Sequence, residues 1–116
     1  MTVTAANSAA RQARLSSERD YQRVIGGGRK ASAGMLVLYH MPGAQPQTRF
    51  GVAVTRKLRR AVDRNRVKRH LRHLWRLHHA AFPAATDYIL LARIPKPVEF
   101  RQMQAWFAEV RRRFKP

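Results

Sequence analysis

Cysteine is absent from the 116 residues, which excludes disulfides and thiolate metal sites and leaves the fold to be held by its core alone. Acidic residues are scarce as well. Only Glu18, Asp20, Asp63, Asp87, Glu99 and Glu109 stand against 24 Lys and Arg, for a formal net charge of +18. Apart from Glu18 and Asp20 these carboxylates are scattered, so the sequence does not offer the clustered acids with which a two-metal protein nuclease holds its ions. Long apolar runs are lacking too. Gly34 to Tyr39 and Tyr88 to Ala92 are the longest, far below the roughly 20 residues that cross a bilayer, and no membrane partner is expected. The start, Met1 to Ala10, has neither the charged head nor the apolar stretch of a secretory signal.

What is present is a large excess of one charge on a chain that is still 45% hydrophobic. The apolar share suffices for one core, and the length suits one domain, expected over residues 14–116 behind a flexible tail at 1–13. Self-repulsion of a +18 domain is relieved most readily by a polyanion, which makes nucleic acid the expected partner. A cytoplasmic location follows from that partner rather than from any address signal.

Periodicity gives the elements. Ser16 or Ser17 can cap a helix running to about Ile25, and Gly26-Gly27-Gly28 is expected to end it through left-handed backbone. Gly34 to Tyr39 reads as a strand, Met41 to Pro46 as a turn, and Arg49 to Thr55 as a second strand alternating in period two, so the two strands are expected to form an antiparallel hairpin. From Ala61 to His79 no Gly or Pro intervenes, and Val67, Leu71, Leu74 and Trp75 share one side of a helix. Asp87 to Arg93 is a further strand. Met103, Trp106, Phe107, Val110 and Phe114 then recur at helical spacing as a core-facing stripe. Helices packed on one face of a mixed sheet would bury these stripes, giving an α+β fold.

The charge is concentrated and ordered. Ten Lys or Arg lie between Arg56 and Arg76 against the single acid Asp63. Asn65, Arg69, Arg72 and Arg76 recur at i, i+4, i+7 and i+11, a stripe about 60° wide nearly opposite the apolar face. An ordinary solvated helix face mixes its charges. An all-basic stripe is locally unfavourable by a few tenths of a kcal/mol per neighbouring pair until an anion neutralises it, which points to phosphate.

Arg49-Phe50-Gly51-Val52-Ala53-Val54-Thr55-Arg56-Lys57, Ala61-Val62, and Arg64-Asn65-Arg66-Val67-Lys68-Arg69 with Arg72 resemble the signature of the bacterial ribonuclease P protein family. The likeness extends through Arg14-Leu15, Asp20-Tyr21, the strand at Leu36 to Tyr39 and the strand at Asp87 to Arg93, so it covers about residues 14 to 114. It implies a two-layer α/β sandwich in α-β-β-β-α-β-α order with a left-handed β-α-β crossover, against the general right-handed rule. It also implies an accessory subunit of a ribonucleoprotein endoribonuclease, which removes the 5′ leader of precursor tRNA. Cleavage would belong to a catalytic RNA and magnesium held mainly by that RNA, with no catalytic residue in the protein and no obligate protein partner.

By the same resemblance, Arg56, Lys57, Arg64, Asn65, Arg66, Lys68, Arg69, Arg72 and Arg76 would meet the catalytic RNA. Arg suits that role because its planar fork matches phosphate oxygens and stacks on bases. Tyr21 and Tyr39 match aromatic positions of a cleft that binds the single-stranded leader, and Ile25 stands where relatives often carry another aromatic. Core packing is the competing role for both tyrosines. Trp75, Trp106, Phe107 and Phe114 read as core, and His70, His73, His78 and His79 lack the carboxylates that orient metal ligands. The rival function is a structural RNA-binding protein such as a ribosomal protein, which would share the charge and ignore the leader.

Overall fold

Ser17 has extended backbone, and its hydroxyl accepts the Asp20 amide at 3.1 Å, which starts helix α1 (Glu18–Gly27). The computed structural model, which describes residues 14–15, 17–43 and 45–116, continues through β1 (Arg29–Ala33), β2 (Leu36–Pro42), β3 (Arg49–Val54) and α2 (Ala61–His78). A 3-10 turn (His79–Ala81), β4 (Thr86–Ala92) and α3 (Phe100–Arg113) complete it. The element order is the expected one, in an α+β fold. The tail expected over residues 1–13 lies outside the described residues.

The sheet order is β1-β2-β4-β3. The expected hairpin between β2 and β3 does not form: β4 lies between them, antiparallel to β2 and parallel to β3. β2 instead makes its hairpin with β1, in a register that sets Lys30 opposite Tyr39 and Arg29 opposite His40. Turn residues between β2 and β3 suggested a tight return, but turn chemistry does not decide which strand takes the neighbouring place. The polar β1 lacked an apolar pattern because only Ala31 and Ala33 point inward.

Alternation then divides the sheet into two faces. Leu36, Leu38, Val52, Tyr88, Leu90 and Ala92 face α2 and α3, where they meet Val67, Leu71, Leu74, Met103, Phe107 and Val110 in the main core. Val37, Tyr39 and Ile89 point the other way, against Leu15 and Val24 of the N-terminal part. Thus α2 and α3 share one face as expected, whereas α1 lies on the opposite one. Its apolar residues are few, and the smaller cluster they build leaves part of that face open.

Glycine acts differently from expectation at the end of α1. Gly28 has φ −91°, not a left-handed conformation. A Cβ there would stand 2.6 Å from the Val24 carbonyl oxygen and 2.7 Å from that of His40, so the residue is small because two backbones converge on it. The left-handed glycine is Gly34, at φ 55° in the β1–β2 turn and covered by Trp106.

Candidate nucleic-acid interface

Burial of Val67, Leu71, Leu74 and Trp75 fixes the rotation of α2 about its axis. Trp75 is clamped further by Phe50 of β3, whose ring stacks on it at 4.4 Å and 2°. The opposite side must therefore face outward. Asn65, Arg66, Arg69 and Arg76 are exposed, Lys68 and Arg72 are half-exposed, and Arg56 and Lys57 sit exposed in the preceding turn.

Among the described residues none of these seven cations has an ion-pair partner, and four of the six acids are engaged elsewhere. Asp20 and Asp87 are held by Arg23 and Arg49, and Glu109 by Arg112 and Arg113. Asp63 reaches only Arg60, at 4.0 Å. The result is a cationic ridge whose field is left for an external anion.

Arg64 stands apart from the ridge. Its Nη1 donates to the carbonyls of Leu58 at 2.8 Å and Arg59 at 2.7 Å, bracing the turn that carries Arg56 and Lys57. Helix α2 has no side-chain cap at Arg60, so this brace from inside the first turn ties its start to the loop.

The cleft residues lie under α1. Tyr21 is half-buried, and its hydroxyl donates to the Val52 carbonyl at 2.9 Å. Gly51 makes that possible, since a Cβ there would collide with the Tyr21 ring. Burial raises the Tyr21 pKa, while the Val52 hydrogen bond and the nearby Arg72 and Arg14 charges pull it down. Arg72 therefore links the ridge to the mouth of the cleft. Ile25 is half-buried, whereas Tyr39 is only 6% exposed and shows the cleft little more than an edge.

A buried charge network seats α1. Asp87, fully buried, takes Arg49 through Nε at 3.0 Å and Nη2 at 2.8 Å, and also Arg23 through Nη2. Arg23 and Arg49 reach Asp20 at 3.5 Å as well. Burial alone would raise the Asp87 pKa, but hydrogen bonds from Arg49 and Arg23 outweigh it and hold the carboxyl below its ordinary range.

Among the described residues no three of His, Asp or Glu come together at ligand distance. His70 and His73 flank Phe100 at 5.0 and 5.7 Å, and the buried Nδ1 of His70 has no partner. No helix is long and apolar enough to cross a membrane among the residues described.

The family model for Ribonuclease P matches residues 9–115. A ribonuclease P protein component of Pelotomaculum thermopropionicum is 38% identical over 79 residues, covering 68% of this chain and 70% of the relative. That of Roseiflexus castenholzii is 38% identical over 94 residues, covering 79% and 77%. The chain belongs to the ribonuclease P protein family.

The RNase P protein of Staphylococcus aureus superposes with a TM-score of 0.74 at 29% identity, over 84% of this chain and 91% of that one. The Thermotoga maritima RNase P protein gives 0.74 at 22%, over 89% and 98%, a likeness of fold. As a ribonuclease P protein component the chain is a subunit of a tRNA-processing ribonuclease.

Within this ribonuclease P protein, sequence reading gave no role to Arg23, Arg49 and Asp87 or to the Gly51 contact. A signal was available for Asp87. An acid opening an apolar strand must be paired when buried, and the motif's own Arg49 was a candidate partner.

Proposed function

We propose that this protein binds the catalytic RNA of ribonuclease P through the α2 ridge and the 5′ leader of precursor tRNA through the cleft under α1, leaving hydrolysis to the RNA. The single observation that supports it most is the ridge: Arg56, Lys57, Arg66, Lys68, Arg69, Arg72 and Arg76, with Asn65 among them, presented outward with no acid paired to any of these cations among the described residues. Arg72 would meet both RNAs, because its charge reaches the Tyr21 hydroxyl at the cleft mouth. Arg64 supports the docking surface indirectly, by shaping the turn below it.

In the cleft, Tyr21 and Ile25 offer half-exposed surface on which a base can lie, and a stacked base is worth about 1 to 3 kcal/mol without regard to sequence. That tolerance suits a protein serving every precursor. Magnesium would be held mainly by the RNA, since this chain's acids are dispersed or already paired with arginine. The protein's contribution is charge neutralisation and preference for precursor over mature tRNA.

Reconstitution tests the reading. RNA alone should cleave slowly and only at high magnesium, and added protein should lower the magnesium requirement and favour substrates with a leader. Cleavage by the protein without RNA, or indifference to the leader, would refute it, the second outcome fitting a structural RNA-binding protein.

A further inference from the structure

A second concentration of positive charge lies at the other edge of the sheet, away from α2. β1 is an edge strand, and a cleft of about 610 Å³ wraps its first residues, lined by Ile25, Arg29, Lys30, Tyr39, Arg113 and Lys115 among others. Two features define what it can take. First, Arg29, Lys30 and Lys115 are exposed and none of them pairs with an Asp or Glu among the described residues, Arg29 donating through Nη1 only to the Pro116 backbone oxygen at 3.1 Å. Arg113 is already committed, through Nε to Glu109 and through Nη1 to the Ser32 carbonyl, so it shapes the wall. Second, the cleft is continuous with the site under α1. Ile25 and Tyr39 line both, and Lys30 stands directly across the strand pair from Tyr39, on the same face.

The course of α1 gives this continuity a direction. Near its start Tyr21 touches β3 at Val52, and near its end Gly28 approaches β2 at His40. The helix therefore crosses the sheet from the α2 side toward β1, over the two strand spacings of about 4.8 Å each that separate β3 from β2. A polynucleotide entering beside Arg72 and following this groove leaves it at Lys30.

We infer that the β1-edge cleft is a phosphate subsite for single-stranded RNA, in which Lys30, Arg29 and Lys115 hold the backbone of the leader's distal nucleotides. The inference rests on the leader reading above. The subsite recognises phosphate and sugar rather than bases, because its free groups are cations and no exposed aromatic stands among them. It makes affinity grow with leader length beyond what the groove under α1 contacts.

The experiment uses the holoenzyme reconstituted with its catalytic RNA, and mature tRNA beside precursors carrying leaders of about four, eight and twelve nucleotides. Wild type should bind the longest leader most tightly. The variant R29Q/K30Q/K115Q should match it on mature tRNA and the shortest leader but lose about tenfold on the longest, with a salt slope shallower by about two, at roughly 0.7 per single-strand phosphate. K30Q alone should give a part of that loss, and all three side chains are exposed, so unchanged thermal unfolding is expected.

A wild type that prefers precursors but gains nothing from added length overturns the subsite and leaves the leader reading intact. No preference for any precursor overturns both. An equal loss on every tRNA, or weaker binding to the catalytic RNA alone, also overturns the subsite, by making the edge a ribozyme contact.

Discussion

Arg49 grips Asp87 with two parallel hydrogen bonds, Nε to Oδ1 at 3.0 Å and Nη2 to Oδ2 at 2.8 Å, across the adjacent starts of β3 and β4. The pair joins the two parallel strands below α1, and Arg23 brings the helix to the same carboxylate.

Replacing Asp87 by Asn leaves two guanidinium groups with only their 3.5 Å contacts to Asp20 and should cost about 3 kcal/mol in urea unfolding. The pH dependence has a definite sign. The folded-state pKa of Asp87 lies below its ordinary value, so its contribution is complete above about pH 4 and is lost as pH falls through the folded value. Wild type should therefore lose stability in acid below about pH 4, and Asp87→Asn should flatten that part of the curve. An unchanged acid limb would show that the network does not stabilise the fold.

Gly51→Ala tests how closely α1 must approach the sheet. The new methyl meets the Tyr21 ring and hydroxyl, so either the ring leaves Val52 or the helix lifts. Overpacking of this kind costs about 1 to 3 kcal/mol. The expected outcome is a moderate fall in thermal stability with a larger fall in preference for precursor tRNA. Tyr21→Phe, which keeps the ring and loses only the hydrogen bond, should retain most of that preference.

Much of this architecture was legible because it depends on local pattern. The apolar stripes of α2 and α3 fixed which side of each helix is buried, and for α2 the same stripe fixed where the basic residues must point. Strand pairing was not legible, since the insertion of β4 between β2 and β3 is a choice among long-range partners that alternation leaves open. The second face of the sheet was missed for a related reason: Tyr21, Val24 and Ile25 are too short a stripe to announce which layer they join. The β1 edge escaped notice because Arg29 and Lys30 look like solvated charge until the fold brings Lys115 beside them.

The ridge and its brace should separate in measurement. Arg69→Ala and Arg72→Ala each remove an outward cation, so each should weaken RNA binding and reduce the log-log salt slope by about one, with unfolding unchanged. Arg64→Ala should do the reverse, lowering stability by about 1 kcal/mol because two carbonyls of the turn lose their donor. If all three variants changed the salt slope alike and left unfolding untouched, the distinction drawn from the geometry would be wrong.

Three histidines give the protein a mild acid sensitivity separate from that of Asp87. Burial lowers the pKa of His40, whose ring lies 4.4 Å from Phe114, and the Arg29 charge adds to it. Burial likewise lowers His70, followed by the Arg69, Arg66 and His73 charges, and His78, followed by the Arg111 charge. A lowered folded-state pKa means that the unfolded chain takes up protons first as pH falls. Stability is then complete above about pH 6.5 and declines below it, until the folded-state groups titrate in turn. Denaturant unfolding of the free protein between about pH 7.5 and 5 should show this decline, and His40→Phe should lessen it. Phe would keep an aromatic contact with Phe114 and remove one of the three protonation sites. A decline of equal size in that variant would show that His40 contributes nothing and leave the effect to His70 and His78.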